Sequence, residues 1–248
     1  AISLSEMGYR VAVFDADFGL ANVDILLGVT PEYTLVDVIH GNKSIIEVLT
    51  DGPSNIKFIS GGSGVEQLVK LDSMQIKRFI YNIGLLDRIF DIIIVDTAAG
   101  LSDSVMSFVM AADEVLLLTT PEPTSITDAY ALIKMIASRD RYKVIKVIVN
   151  RAESIKEAQD IQYRLSLVAE KFLSIKLKQV GFVLQDDAVI RAVKLQKPFS
   201  ILYPKSQASK SIKNISIKLI EEEQKPISSE NVGMKGFINR FLNIIRSS

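Results

Sequence analysis

The sequence predicts an α/β fold in which helices cover both faces of a doubly wound, mostly parallel sheet. Two acidic strand ends favour this fold most strongly. VAVFDAD at 11–17 and DIIIVD at 91–96 are apolar, β-branched runs that finish on aspartate, as buried parallel strands often do at the carboxyl edge of a sheet. The third observation is the alternation of such runs with amphipathic segments of helical length. Ligands of open α/β sheets bind at that carboxyl edge.

The predicted elements follow one another in regular order along the chain. The predicted strands are 10–14, 56–59, 91–95, 115–119, 144–149 and 178–183. The predicted helices are 72–88, 103–111, 125–139, 154–172, 187–194 and 206–223. Strands that alternate with helices imply right-handed β-α-β crossovers and therefore parallel pairing.

Composition restricts the class of protein. Lys plus Arg and Asp plus Glu both number 29, so the chain as a whole has no electrostatic footprint for nucleic acid. Cysteine is absent, which excludes disulfides and thiolate metal sites. The single histidine, His40, is interpreted as a helix-end residue before Gly41. The presence of only one histidine argues against a histidine metal cluster and against a Ser-His-Asp hydrolase. No apolar run approaches the roughly 20 residues that span a bilayer, so we expect a soluble, cytoplasmic protein.

The chain is predicted to comprise one α/β domain, a linker and a terminal helix. The domain covers residues 1–223, and the polar, proline-containing segment 224–235 is the linker. In the helix 236–248, an apolar stripe is formed by Phe237, Ile238, Phe241, Leu242 and Ile245. From position 225 onward there are four basic residues and one acidic residue. This excess of positive charge favours binding to the inner leaflet of a membrane. The alternative is a terminal helix that docks on its own core.

The acidic strand ends fit nucleotide chemistry. Hydrolysis of a nucleotide needs a magnesium ion, a cradle for the phosphates and a group that orients the attacking water. Asp96 is placed to hold magnesium through its water shell, while Asp15 and Asp17 point to one side of the chain, where one would support the metal and the other polarise water. The alternatives are a helix-capping aspartate for Asp96 and an acidic turn for the other two.

Two further polar segments follow predicted strands. SGGSG at 60–64 lacks the lysine and the helix-opening Ser/Thr of a phosphate loop, so we interpret it as a backbone turn. Asn150 and Arg151 lie just beyond another strand. An asparagine amide offers the donor and the acceptor that the edge of a purine requires. A helix N-terminal turn is an equally good interpretation of these two residues.

Together these segments resemble the deviant-Walker P-loop ATPases of the MinD/ParA type. DADFGLANVDILLG at 15–28 is similar to their switch I segment, and DIIIVDTAAGLSD at 91–103 is similar to Walker B plus switch II. TTPEPTSITDAYALIK at 119–134 resembles the strand and helix that follow. LLGVTPEYTLVDVIHG and ISGGSG make the chain most similar to the flagellar-number regulator branch of the family, called FlhG or FleN.

The resemblance implies an ATPase that forms a homodimer around two ATP molecules. Asp17 would position the attacking water, Asp15 and Asp96 would support Mg²⁺, partly through water, and Asn150 with Arg151 would lie at the adenine. A FlhF-type SRP GTPase, flagellar switch proteins and a transcriptional activator are the implied partners, and the inner face of the cytoplasmic membrane is the implied, reversible location. MinD-like division-site selection, ParA-like partitioning and a nonenzymatic scaffold stay open, although neutral charge argues against DNA partitioning.

The chain departs from the family at its beginning. Family members start with a strand and a KGGxGKT/S loop, followed by a helix whose tail would match AISLSEMG. Because that unit is not in this sequence, we expect the chain as given to bind ATP poorly and to be inactive. A natural pseudo-ATPase and an incomplete chain both explain the departure. The retention of the three aspartates and the start at Ala1 within a predicted helix favour an incomplete chain.

Overall fold

The computed structural model describes residues 1–17, 23–62, 72–222 and 232–247. The chain forms two compact units, and the single α/β domain over residues 1–223 stays a prediction. The first unit comprises Ala1–Ala111, Gln196–Pro198 and Ile227–Ser248, and the second comprises Ala112–Leu195 and Phe199–Pro226. Most of the predicted linker 224–235 lies outside the described residues. No helix in the described ranges is long and apolar enough to cross a membrane.

The first unit contains a mixed sheet with helices around it. Its described strands are β1 Val11–Ala16, β2 Thr50–Asp51, β3 Lys57–Ser60 and β4 Ile92–Thr97. Its described helices are α1 Ile2–Glu6, α2 Val23–Leu27, α3 Leu35–Ile39, α4 Ser73–Gly84, α5 Leu86–Ile89, α6 Asp103–Ala111 and α12 Gly233–Ser247. The strand order is β2-β3-β1-β4, with β1 parallel to both β3 and β4 and β2 antiparallel to β3. Strand β1 is buried along its whole length.

The second unit contains a parallel sheet. Its described strands are β5 Glu114–Thr119, β6 Val144–Ala152 and β7 Leu177–Leu184, in the order β5-β6-β7. Its described helices are α7 Pro123–Arg139, α8 Ile155–Leu173, α9 Asp187–Lys194, α10 Phe199–Leu202 and α11 Gln207–Glu222. The predicted α/β class and the mostly parallel pairing are confirmed. Among the described residues, the strands form two hydrogen-bonded groups, β2-β3-β1-β4 and β5-β6-β7.

Side-chain caps fix several helix starts at the predicted positions. Asp72 accepts hydrogen bonds from the amides of Met74 and Gln75, which starts α4. The predicted helix 72–88 is divided near Gly84 into α4 and α5, at the residue type with the lowest helix propensity after proline. His40 is the C-cap of α3, as expected of a helix-end residue.

The terminal helix α12 docks on the core of the first unit. It begins at Gly233, three residues before the predicted start, and packs against α4, α5 and α6. Of the five side chains predicted to contact a membrane, four are buried and one, Ile245, is half-buried; the four are Phe237, Ile238, Phe241 and Leu242. The structure thus shows the docked alternative, and membrane contact by this helix stays a prediction.

Specific contacts hold α12 in its docked position. The ring of Phe241 lies 4.5 Å from that of Phe108, centroid to centroid. The carboxylate of Asp87 accepts hydrogen bonds from the amides of Met234 and Lys235, at 3.0 Å for the latter. Asp87 therefore caps a helix that follows it by almost 150 residues. At the far end of α6, Arg240 donates a hydrogen bond from Nε to the Ala111 carbonyl at 2.7 Å.

Candidate functional site

Three strand ends place Ser60, Asp15 and Asp96 in one row at the carboxyl edge of the first sheet. Asp15 is the Cα partner of Ser60 on β3 and of Asp96 on β4. Partner residues on parallel strands project to the same face, and neighbouring strands lie about 4.8 Å apart. The three side chains are therefore close enough for one small ligand to contact more than one of them.

Asp15 also shapes the turn that presents Asp17. The Asp15 side chain is buried, and its Oδ1 accepts a hydrogen bond from the Asp17 amide at 3.0 Å. Its Oδ2 accepts a second bond from the Val23 amide at 3.4 Å. An aspartate that bonds the amide two residues ahead forms an Asx turn. The acidic turn that we considered as an alternative is therefore present, and it holds the half-buried Asp17 next to the row.

The three carboxylates interact electrostatically. Burial raises the pKa of Asp15, the negative charges of Asp17 and Asp24 raise it further, and hydrogen bonds from two backbone amides offset part of this. The pKa of Asp96 is also raised, first by partial desolvation and then by the charges of Asp15 and Asp17. A cation placed among these groups would relieve the repulsion.

Asp15 and Asp96 fit a magnesium ion that is shared with a phosphate. Within the described residues, no group of three or more His, Cys, Asp or Glu side chains could hold a metal ion by itself. Magnesium in nucleotide sites usually has one or two protein carboxylates and completes its shell with water and phosphate oxygens. The two aligned carboxylates match that requirement. The ion would supply charge neutralisation at the phosphates.

The raised pKa of Asp96 predicts a pH-dependent stability effect. Because that pKa lies above the value in the unfolded chain, the folded state binds more protons between the two values. The ionised form of Asp96 thus lowers the free energy of unfolding at neutral pH. This loss of stability disappears as the pH falls through the raised pKa. We expect Asp96→Asn to raise the Tm at pH 7 in EDTA, and the difference from wild type to shrink towards pH 4, measured by circular dichroism.

Asp91, at the start of the segment 91–96, provides a control variant for which we expect the opposite change in Tm. Hydrogen bonds from Arg10 lower the pKa of Asp91 to about 2. Its ionised form therefore stabilises the folded state above the unfolded pKa, and Asp91→Asn should lower the Tm at pH 7. Equal Tm shifts of the same sign in the two variants would contradict the assignment of repulsion to Asp96.

The glycine run after β3 has its described part folded as a turn. The Gly61 amide donates to the Asp15 carbonyl at 3.0 Å. Gly62 has a φ of 55°, and a Cβ there would lie 3.1 Å from Thr34 Oγ1, so both conformation and space favour glycine. Residues 63 and 64 lie outside the described residues, as do residues 18–22 of the switch-like segment 15–28.

Sequence reasoning missed Ser60 as a member of the row. The signal was present, because the predicted strands 10–14, 56–59 and 91–95 each end one residue before a member of this row. Comparing the strand ends in order of the sheet would have identified it. A serine hydroxyl is a small oxygen donor beside the two carboxylates.

In the second unit, a β-bulge presents Asn150 and Arg151. The register between β6 and β7 shifts between Asn150 and Ala152, and Arg151 has a φ of 59°. Such a left-handed conformation costs a non-glycine residue about 1–3 kcal/mol and is common at ligand sites. The Asn150 Oδ1 accepts from the Arg151 amide at 3.0 Å, and Arg151 Nε donates to Gln185 Oε1 at 3.3 Å. Both residues belong to strand β6, so a helix N-terminal turn is the wrong interpretation.

A family model and several known proteins are similar to this chain in sequence. The family model described as ParA, NUBPL iron-transfer P-loop NTPase, matches residues 1–220. The chain is 42% identical over 219 residues to Antiactivator FleN of Pseudomonas aeruginosa, which covers 88% of this chain and 78% of the relative. It is 32% identical over 248 residues to the flagellum site-determining protein YlxH of Helicobacter pylori, with 99% and 83% covered.

Solved structures share the fold. The septum site-determining protein MinD of Pyrococcus horikoshii, complexed with Mg-ADP, aligns with a TM-score of 0.69. The alignment covers 92% of this chain and 90% of that chain at 21% sequence identity. At this identity the likeness shows the α/β fold.

Proposed function

The chain belongs to the ParA/MinD family of P-loop NTPases, and we propose that it is an ATP-dependent dimeric switch that regulates the number or placement of flagella. The observation that carries this proposal is the 42% identity to Antiactivator FleN over 219 residues. The similarity to a flagellum site-determining protein over 248 residues supports the same process.

The carboxyl edge of the first sheet supports nucleotide hydrolysis in this proposal. Asp15 and Asp96 support the magnesium ion, partly through water, and Asp17 orients the water that attacks the γ-phosphate. The Asx turn of Asp15 links the magnesium site to the residue that orients the water, because it fixes the backbone that carries Asp17. The phosphate cradle itself comes from a Walker A loop, which the printed sequence does not contain.

The second unit supports recognition of the base. In our proposal the amide of Asn150 pairs with the edge of adenine, and Arg151 holds the bulge through Gln185. The strained φ of Arg151 is consistent with this role, because strain is retained where a side chain must be presented to a ligand.

The switch requires two states, and the docked helix α12 supplies the first. Its apolar face packs against α6 in the state described here, so those side chains cannot contact lipid at the same time. We propose that the ATP-bound homodimer frees the helix for the inner face of the cytoplasmic membrane. Two helices in a dimer raise their effective concentration at the surface, whereas one short helix binds weakly. A FlhF-type GTPase and flagellar switch proteins are the partners that we propose.

The flagellar role is tested by counting flagella. In cells that lack the gene, we expect more flagella per cell or flagella at the wrong place, because the relative is described as an antiactivator. A plasmid copy should restore the wild-type number, as seen by electron microscopy of single cells. An unchanged number of flagella together with misplaced division septa would instead favour the division-site alternative.

A further inference from the structure

Ser60 is a polar residue at the end of an otherwise apolar, buried strand. Strand β3 ends at Ser60, and the two residues before it, Phe58 and Ile59, are each 1% exposed. Ser60 itself is half-buried at the carboxyl edge of the sheet. Parallel strands that are covered on both faces favour continuous apolar runs. The packing of β3 therefore does not require a serine at this position.

The backbone fixes Ser60 beside Asp15. The two residues are Cα partners in the parallel pairing of β3 with β1. The next residue, Gly61, donates a hydrogen bond from its amide to the Asp15 carbonyl at 3.0 Å, which extends the pairing beyond Ser60. Partner residues on neighbouring strands lie about 4.8 Å apart and project to the same face. The Ser60 side chain is therefore held on the face from which Asp15 projects.

The Ser60 hydroxyl takes no part in the hydrogen bonds of the fold. In the described part of the chain, no side chain or backbone group forms a hydrogen bond with it. The hydroxyls of Ser5 and Ser107, by contrast, each donate to a backbone carbonyl at 2.7 Å. A serine hydroxyl can donate one hydrogen bond and accept two. Ser60 therefore keeps this capacity for a ligand.

The neighbouring carboxylate is partly occupied by the backbone. Asp15 Oδ1 accepts from the Asp17 amide at 3.0 Å, and Oδ2 accepts from the Val23 amide at 3.4 Å. Each oxygen keeps one further acceptor site for a metal ion or its waters. Magnesium in nucleotide sites retains several water molecules, and these waters need acceptors in addition to the carboxylates. The Ser60 hydroxyl is such an acceptor in the same row.

The spacing of the strands favours a contact through water. Because β1 lies between β3 and β4, Ser60 and Asp96 are two strand spacings apart, about 10 Å. Magnesium–oxygen bonds are about 2.1 Å long, so the short Ser60 side chain does not reach an ion that Asp15 and Asp96 share. A water molecule bound to the ion extends this reach by a hydrogen bond of about 2.8 Å.

We propose that Ser60 is a positioning residue of the magnesium site, whose hydroxyl accepts a hydrogen bond from a water molecule bound to the ion that Asp15 and Asp96 hold. The inference rests on the proposed function and adds a residue from a third strand to its metal site. Outer partners of this kind orient the ligands of a metal and contribute to its affinity. Loss of the hydroxyl should therefore weaken metal binding even without nucleotide.

The test measures metal binding by the full chain in the absence of nucleotide. Mn²⁺ is the probe, because sites of carboxylate and water oxygens that suit Mg²⁺ also bind Mn²⁺, and the EPR signal of free Mn²⁺ is lost on binding. We expect saturable binding by the wild type that excess Mg²⁺ displaces. Ser60→Ala should bind Mn²⁺ roughly 3- to 10-fold more weakly, as expected for the loss of one hydrogen bond to a metal-bound water.

Two variants of the same shape separate the hydroxyl from packing. Ser60→Thr keeps the hydroxyl, and Ser60→Val has a methyl group in its place. We expect Ser60→Thr to bind Mn²⁺ within about twofold of the wild type and Ser60→Val to bind as weakly as Ser60→Ala. Ser138→Ala is the matched control, because it removes an exposed hydroxyl on α7 that donates to the Met135 carbonyl. It should leave Mn²⁺ binding unchanged.

Two results would overturn the role of Ser60 and leave the metal site of the proposed function intact. The first is equal Mn²⁺ binding by the wild type and Ser60→Ala, with binding lost in Asp15→Asn. The second is equal weakening in Ser60→Thr and Ser60→Val, which would mean that shape and not the hydroxyl matters. The absence of displaceable Mn²⁺ binding by the wild type would instead contradict the magnesium site itself, and with it both proposals.

Discussion

Asp17→Ala is expected to lower the kcat of ATP hydrolysis by about 100-fold or more and to leave the KM for ATP nearly unchanged. A residue that positions the attacking water acts in the transition state and contributes little to ground-state binding. The structure holds Asp17 by the hydrogen bond from its amide to Asp15. The carboxylate is thus presented by a fixed backbone and not by a free loop end.

The assay uses this chain extended upstream of Ala1 by a strand and a KGGxGKT/S loop of the family, and it measures phosphate release at saturating ATP and Mg²⁺. Asp128→Ala serves as the control, because it removes the same carboxylate from an exposed position on α7. It should retain full activity. Normal turnover by Asp17→Ala would contradict the proposal that Asp17 orients the attacking water. The absence of turnover by the extended wild-type chain would contradict the proposal that the protein is an ATPase.

The carboxyl edge of the first sheet could be predicted because strand patterns and strand ends are local properties of the sequence. Apolar runs end at Phe14 and Val95, and the aspartates that follow them become Cα partners in the sheet. Burial of β1 follows from its continuous apolar composition. Local pattern and tertiary position therefore agree at this edge.

Features that depend on distant partners could not be predicted. Lys146 is completely buried in β6 and lies 2.6 Å from a carboxylate oxygen of Glu114 on β5, a pairing that becomes visible only when the register is known. The left-handed φ of Arg151 depends on the bulge against β7. The cap that Asp87 gives to α12 joins two parts of the chain that no local pattern connects.

The terminal helix shows why an amphipathic pattern does not identify its own environment. A stripe of Phe237, Phe241 and Leu242 is equally suited to a lipid surface and to a protein core, because both remove apolar area from water. Only the tertiary structure distinguishes the two, and it buries these side chains against α6. In the proposed switch, α12 leaves the core of the first unit only if its binding to lipid is more favourable in free energy than its docking.

Phe241→Ala should therefore lower the free energy of unfolding of the first unit by about 3–5 kcal/mol, the usual cost of deleting a buried phenylalanine ring. Phe241 is 1% exposed and its ring contacts those of Phe108 and Phe237. Equilibrium urea unfolding followed by circular dichroism measures the effect. Phe172→Ala is the matched control, because it removes the same ring from a site that is 65% exposed, where a change below about 0.5 kcal/mol is expected. Equal, small effects of the two variants would mean that α12 is undocked in solution, and membrane attachment would then need no release step.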